Sequence, residues 1–391
     1  MWCLDSRRVM AAAGLVLILL SGMEAACGGG SSSSAPTATP APTPTPAPTP
    51  IVDQSLFTGP LPYRGVALSG AEFGFRIENG AVVGIPGVFG RDYIYPDPTY
   101  VDGYASPDYF MAKQMTTFRL PFLWERLQPE LGAPFNDDEL ERLTTTVGHL
   151  TDKGAAVILD PHNGARYWDG QVLGVIGAEV PVSAFADLWR RLAVRFSHPR
   201  VVYGLMNEPN QMPTEKWLEA ANAAIAAIRS TGSSNLILVP GNNYTSAPGW
   251  TGPPPPGEAS NGIVMLGVRD PAENFAYEVH VYLDQYSSAG SSVCVSETVG
   301  SERMEDFTAW LRAHGRRAFL GEFGVGRDPV CLAGLDDILT HLEVNRAVYI
   351  GWTYWSAGPW WSDDTWYLVE PRGGADAPQM DILSRHLGVL R

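Results

Sequence analysis

The chain has 391 residues, 45% of them hydrophobic and 18% charged, with a formal net charge of −15. No basic cluster breaks the acidic excess, which argues against a nucleic-acid partner. The length that remains beyond the N-terminal segments suits one large α/β domain better than two small ones.

In chain order, residues 1–27 read as an export signal. Arg7 and Arg8 supply the positive region and 9–20 form an apolar run, which falls short of the ~20 residues a membrane-spanning helix needs. Met23-Glu24-Ala25-Ala26-Cys27, followed by Gly28, is similar to a bacterial lipoprotein signal, with Glu24 standing where an aliphatic residue is usual. Two outcomes stay open here: lipidation of Cys27, giving a lipid anchor, and simple cleavage with release. Residues 28–50 read as a linker, Gly/Ser-rich at first and then alternating Pro with Thr and Ala. Proline presets φ and removes donors, so 35–50 is expected to be an extended spacer of about 50 Å at ~3.1 Å per residue. Cys294 and Cys331 are the two cysteines beyond the signal, and the exported context favours joining them in a disulfide.

Residues 51–391 alternate strand-like apolar runs with helical patterns. Strands are expected at 65–74, 116–122, 155–162, 201–209, 236–242, 275–283, 317–324 and 347–357. Helices are expected at 137–153, 183–197, 214–230, 301–314, 333–345 and 378–389, where apolar residues recur at helical spacing. Eight such units imply a single (β/α)8 TIM barrel, and in that fold chemistry sits at the C-terminal ends of the strands. A doubly wound open sheet is the rival, but its Gly-rich phosphate turn is absent.

The polar and aromatic residues gather at those strand ends. Gly204-Leu205-Met206-Asn207-Glu208-Pro209 and Phe319-Leu320-Gly321-Glu322-Phe323-Gly324 are apolar runs that each end on a glutamate. A carboxylate at the mouth of a buried strand is costly unless it has a task. Two of them fit the pair that cleaves a glycosidic bond by double displacement. Other chemistries lack their marks: there is no nucleophile elbow, no His-Glu-x-x-His, and no Cys or His at zinc spacing near Cys294 or Cys331. Neither a metal nor a cofactor is therefore expected.

The ordered series over the eight units is Phe118-Arg119-Leu120-Pro121, Asp160-Pro161-His162-Asn163, Asn207-Glu208-Pro209, His280-Val281-Tyr282, Glu322 and Trp352-Thr353-Tyr354-Trp355. It resembles glycoside hydrolase family 5 of clan A, and most closely the cellulase subfamily that includes fungal endoglucanases. The resemblance implies that Glu322 is the nucleophile and Glu208 the general acid and then the base. It implies that Arg119 and Tyr282 hold Glu322 ionised and that Asn207 meets the sugar 2-hydroxyl. His162 and His280 are expected to line the reactive subsite, and Trp355 to floor it. Arg119 could instead pair with Asp160. Trp168, Tyr244, Trp250, Trp360 and Trp361 fall in predicted loops and are expected to stack on sugar rings, while Asn163 and Asn243 offer polar partners for hydroxyls. The loop 250–257, rich in proline, is expected to wall one end of the groove or simply to connect.

The reading is an exported, monomeric endo-β-1,4-glucanase acting on cellulose and related β-glucans without a cofactor. A β-mannanase or another β-glycanase of the same family is the alternative, and a catalytically silent glycan-binding surface protein is the rival from another class.

Overall fold

The computed structural model describes residues 61–78, 81–96, 105–253 and 259–388. The expected export signal, Cys27 and the linker lie outside the described residues, as do residues 254–257 of the proline-rich loop. Eight parallel strands close into a barrel: β1 (Tyr63–Leu68), β2 (Thr117–Phe122), β3 (Ala156–Pro161), β4 (Val201–Gly204), β5 (Ile237–Pro240), β6 (Phe275–His280), β7 (Ala318–Glu322) and β8 (Tyr349–Ala357). Each strand pairs with its neighbours in the chain, and β8 closes on β1 with Tyr63 opposite Gly351.

A period of two sorts the side chains of each strand. In β6, Tyr277 and Val279 join the large apolar core between barrel and helices. Ala276 belongs instead to a second cluster with Ile158, Val202, Leu236, Leu238 and Phe319. That cluster draws on five consecutive barrel units, β3 to β7, so it fills the lumen. Glu278 and His280 share the parity of Ala276 and continue up the same lumen face. In β2, Phe118, Leu120 and Phe122 join the outer core, which leaves Arg119 to the lumen. The barrel is thus apolar inside at its base and charged at its C-terminal mouth.

The helices fold by the complementary rule. Besides the four-residue turns Trp124–Leu127 and Asn261–Val264, they are α1 (Ala105–Ala112), α2 (Asp137–Asp152), α3 (Val182–Arg195), α4 (Thr214–Ser230), α5 (Val299–His314), α6 (Pro329–Val344) and α7 (Gln379–Arg385). In α3, Phe185, Leu188, Trp189 and Leu192 form the buried stripe that a 3.6-residue period requires. Two indoles tie helices to strand ends: Trp189 Nε1 donates to the Leu205 carbonyl at 3.0 Å, and Trp217 Nε1 donates to Pro240 at 2.7 Å. Asn136 caps α2 by accepting from the Glu139 N–H. Asp328 caps α6 by accepting from Val330 and Cys331. Gly315 ends α5 at φ 60°, a conformation that costs glycine little.

All eight expected strands are present; β2 and β8 end where expected and the other six end earlier. The expected 201–209 ends at Gly204, because the residues after it turn out of the sheet to place Glu208. Helix α6 begins four residues before the expected 333, at the Asp328 cap with proline in its first turn. Helix α1 has no counterpart in the expected helices. Neither do two short hairpins, Arg76–Glu78 with Ala81–Val83 and Arg166–Trp168 with Leu173–Val175. Each is short and lacks a long apolar period. Between β5 and β6 the described helical residues amount to Asn261–Val264 and the 3-10 turn Met265–Gly267.

Cys294 and Cys331 are bonded, with Cα atoms 5.2 Å apart and a sequence separation of 37. The bond ties the loop after β6 to the first turn of α6. Replacing both with serine is expected to lower the unfolding free energy by about 2–4 kcal/mol. Guanidinium titrations of the two proteins check this, and equal midpoints would show the bond to be dispensable.

Candidate active site

Glu322 ends β7 and Glu208 follows β4, so two loops and two strands deliver the carboxylates to one mouth. A register shift between Val279 and His280 sets His280 opposite Glu322; such a bulge re-aims a side chain. The ionisable atoms of Glu208, His280 and Glu322 come within 4.8 Å of one another. Arg119 and His280 already place positive charge there, which disfavours a cation, and the arrangement reads as a carboxylate pair.

The two carboxylates have different surroundings. The Glu322 side chain is 5% exposed and that of Glu208 19%, so Glu208 is the one able to exchange protons with solvent. Arg119 Nη1 donates to Glu322 Oε1 at 2.6 Å, and the Tyr282 hydroxyl donates to Oε2 at 2.8 Å. Burial pushes the Glu322 carboxyl up, but His280 and then Arg119 overcome it and hold it well below the ordinary carboxylate range. His280 Nδ1 lies 2.9 Å from Glu208 Oε1 and 3.6 Å from Glu322 Oε2. Burial works against the imidazolium, yet Glu322, Glu208 and Glu278 together raise His280 to about 10. The Tyr282 phenol is pushed far up, first by burial and then by Glu322 and Glu208, so it remains a donor.

Asn207 accepts from Arg119 Nη2 at 2.8 Å and approaches His162 Nε2 at 3.2 Å through its amide nitrogen. His162 Nδ1 lies 2.9 Å from Asp160 Oδ2, and its ring stacks on Trp355 at 5.5 Å and 15°. The two pairings weighed for Arg119 coexist, since Asp160 lies 3.1 Å from its Nη2. Glu208 has φ 42°, a strained backbone of the kind that collects at functional sites. Beside it Asn243, Tyr244 and Thr245 have φ of 55°, 59° and 47°. The Tyr244 N–H donates to Pro209 O at 3.0 Å, which fastens this left-handed turn to the segment carrying Glu208.

The outlying aromatics divide. Tyr244 is 42% exposed, while Trp168, Trp360 and Trp361 are half-buried. Trp361 packs edge-on against Phe73 at 4.8 Å and Trp355 at 6.2 Å. Trp355 itself is almost wholly covered. Trp250 does not reach the cleft: it is fully buried against Tyr277, Phe307 and Trp310, because its loop folds back into the outer core. Asn163 is spent on the protein as well. Its Oδ1 accepts from the Trp124 N–H at 2.9 Å and its Nδ2 donates to Glu125 at 2.6 Å, so it joins the loops after β2 and β3 instead of waiting for a hydroxyl.

Sequence reading passed over Glu278 and Glu125. Glu278 carried a usable signal, being a carboxylate at lumen parity inside a mostly apolar strand. Glu125 carried none, because its partners, Asn163 and the Trp168 N–H, are brought to it only by the fold. The space for Glu278 comes from Gly321, where an added Cβ would stand 2.2 Å from its Oε1. Gly321→Ala is therefore expected to destabilise the protein by about 1–3 kcal/mol and to displace the neighbouring Glu322. Thermal unfolding and a carboxyl titration check this, and an unchanged melting temperature would contradict it.

Known proteins resemble this chain in sequence and fold. The profile of cellulase (glycosyl hydrolase family 5) matches residues 81–358. Endo-beta-1,4-glucanase B of Aspergillus niger is 35% identical over 321 residues, covering 82% of this chain and 88% of the relative. The crystal structure of an endo-beta-1,4-glucanase from Xanthomonas axonopodis pv. citri superposes with a TM-score of 0.76 at 44% identity, covering 84% of this chain and 98% of that one. A structure of XacCel5A in complex with cellopentaose gives 0.76 at 43% identity, covering 83% and 99%.

Proposed function

The chain belongs to glycosyl hydrolase family 5, and we propose that it is a retaining endo-β-1,4-glucanase with Glu322 as nucleophile and Glu208 as acid and base. The observation that carries the reading is the pairing itself. Two carboxylates meet within 4.8 Å at the barrel mouth, one buried and held ionised, the other open to proton exchange. Retaining enzymes place the two carboxyls ~5–5.5 Å apart, too close to seat a water between the nucleophile and the sugar.

In the first step a Glu322 oxygen attacks the anomeric carbon while Glu208 gives its proton to the departing glycosidic oxygen. The C–O bond breaks and a glycosyl ester forms on Glu322. In the second step Glu208, now a carboxylate, takes a proton from water; the water oxygen attacks the same carbon and Glu322 leaves as a carboxylate. Arg119 and Tyr282 hold the two Glu322 oxygens, so the nucleophile is oriented as well as ionised. Asn207 is held at the Arg119 guanidinium, where its amide can face the sugar 2-hydroxyl.

The β-1,4-glucan substrate is supported by the named relatives and by the cellopentaose complex among the related structures. Tyr244 and Trp168 are the aromatic candidates for stacking at the rim, with Trp360 beyond β8. Export, with the linker as spacer and Cys27 as an anchor point, is part of the same proposal. Mass spectrometry of the cell-surface protein would distinguish a lipidated Cys27 from a released chain.

The deciding experiment is reducing-sugar release from carboxymethyl-cellulose, barley β-glucan, glucomannan and galactomannan, beside a Glu322→Gln variant. Activity on the glucans that the variant loses is the expected result. Activity confined to the mannans would overturn the substrate, and silence on all four would overturn the enzyme reading. Glu208→Gln is expected to cut kcat by about 10²–10⁴-fold, most severely on substrates with poor leaving groups.

The pH dependence has a definite sign. Because the folded Glu322 carboxyl lies below its ordinary value, the acid limb of kcat/KM should fall at a pH below the usual glutamate range. The linked stability is present above the unfolded value and is lost as pH falls through the folded one. Arg119→Lys removes the forked contact and should move the acid limb upward by about one unit. A limb that stays in place would show that Arg119 does not control the nucleophile.

A further inference from the structure

Arg119 and His280 support the catalytic pair, and both turn a second edge toward one more buried carboxylate. Glu278 has a side chain 2% exposed, with Oε1 at 3.3 Å from Arg119 Nε and 3.7 Å from His280 Nε2. These three atoms are buried, and none of them makes a hydrogen bond. Buried polar atoms are nearly always paired, so three orphans facing one point call for a reason. Two glycines leave the room: the Cβ absent from Gly321 would stand 2.2 Å from Glu278 Oε1, and that absent from Gly204 would stand 3.8 Å from Oε2. The apolar plug of Ile158, Val202, Leu238 and Phe319 shows how this lumen fills when packing alone decides.

We propose that Glu278 is a positioning residue for both catalytic glutamates: its carboxylate aims the Arg119 guanidinium at Glu322 and the His280 ring at Glu208. The proposal rests on the acid and nucleophile reading above. A guanidinium is a rigid planar fork, so fixing two of its edges fixes the third. Nη2 is taken by Asn207 at 2.8 Å and Asp160 at 3.1 Å, and Nε faces Glu278. Only Nη1 then remains, and it points at Glu322 at 2.6 Å. The imidazole obeys the same logic. A carboxylate facing one ring nitrogen sets the direction of the other, and here that other nitrogen is the Nδ1 beside Glu208.

Charge follows from position. The groups facing His280 are Glu208 from the end of β4, Glu322 from β7, Glu278 from its own strand and Tyr282 just beyond it. Arg119, from β2, is the cation that shares Glu322 and Glu278 with it. Glu278 is one of the three anions that raise the ring to about 10. Without it the imidazolium keeps the two catalytic carboxylates but loses the counter-charge that chemistry never consumes.

The test is an NMR titration of the His280 ring in the wild-type chain and in Glu278→Gln, with steady-state kinetics on barley β-glucan. The wild-type ring should stay protonated through pH 8. In the variant its midpoint should fall by about one unit or more, and kcat should fall about 10–100-fold with KM changed less than about twofold. Glu278→Asp should recover part of both. An unmoved His280 midpoint with a superimposable pH–rate profile would reduce Glu278 to a buried structural charge. If Glu278→Gln does not fold, Glu278→Asp decides: a lowered His280 midpoint with a reduced kcat upholds the proposal, and a midpoint and pH–rate profile equal to those of the wild type overturn it. Absence of glucan cleavage in a protein whose His280 titrates as stated would overturn the glucanase reading and leave the placement of Glu278 standing.

Discussion

A single buried guanidinium sets the terms for the rest of this site. Arg119 reaches Glu322, Asn207, Asp160 and Glu278 from one position in β2. A buried arginine without partners would be very costly, and so would each of those carboxylates. Together they are tolerable, because every charge has an opposite within about hydrogen-bond reach. The consequence is a cooperative cluster in which removing one member leaves another uncompensated. The ionised state of Glu322 is therefore a property of the whole barrel mouth.

The closed sheet is what allows such a cluster. A lumen residue is screened from water by neighbouring strands on both sides, so its electrostatic interactions are strong. The apolar plug beneath seals the base. Strained turns occur at the mouth. Glu208 and the run from Asn243 to Thr245 occupy left-handed backbone, held by bonds such as Tyr244 N–H to Pro209 O and His280 N–H to Thr245 O, both at 3.0 Å. The Thr245 hydroxyl adds a bond to the Glu278 carbonyl. The Glu208 side of the cleft is thus built on backbone that would relax if these clamps were absent.

Much of the fold is legible in the chain because period and punctuation are local. Eight apolar runs between helical stripes are enough to imply the barrel, and Thr214–Ser230 is recovered to the residue. The proposed catalytic set can be picked out because the fold places such residues at strand ends. Glu208 and Glu322 stand out as acids in apolar runs, and Arg119 stands out in the same way. Helix α1 and the two hairpins were not legible, since they are short and depend on packing against the barrel. Trp250 and Asn163 mark a different limit. An indole in a loop reads alike whether the loop folds inward or over the cleft, and an amide reads alike whether protein or ligand satisfies it.

The sequence by itself determined the number and order of the barrel units, the identity of the acids at the strand ends and the cysteines free to pair. These follow from side-chain periodicity and from the cost of burying charge, both of which act over a few residues. Only the tertiary structure decided which oxygen each donor meets, that Arg119 serves three carboxylates at once, and that Glu278 lies beneath the pair. Those outcomes depend on strand register, including the shift that sets His280 opposite Glu322, and register is fixed by closure of the whole sheet rather than by any one segment.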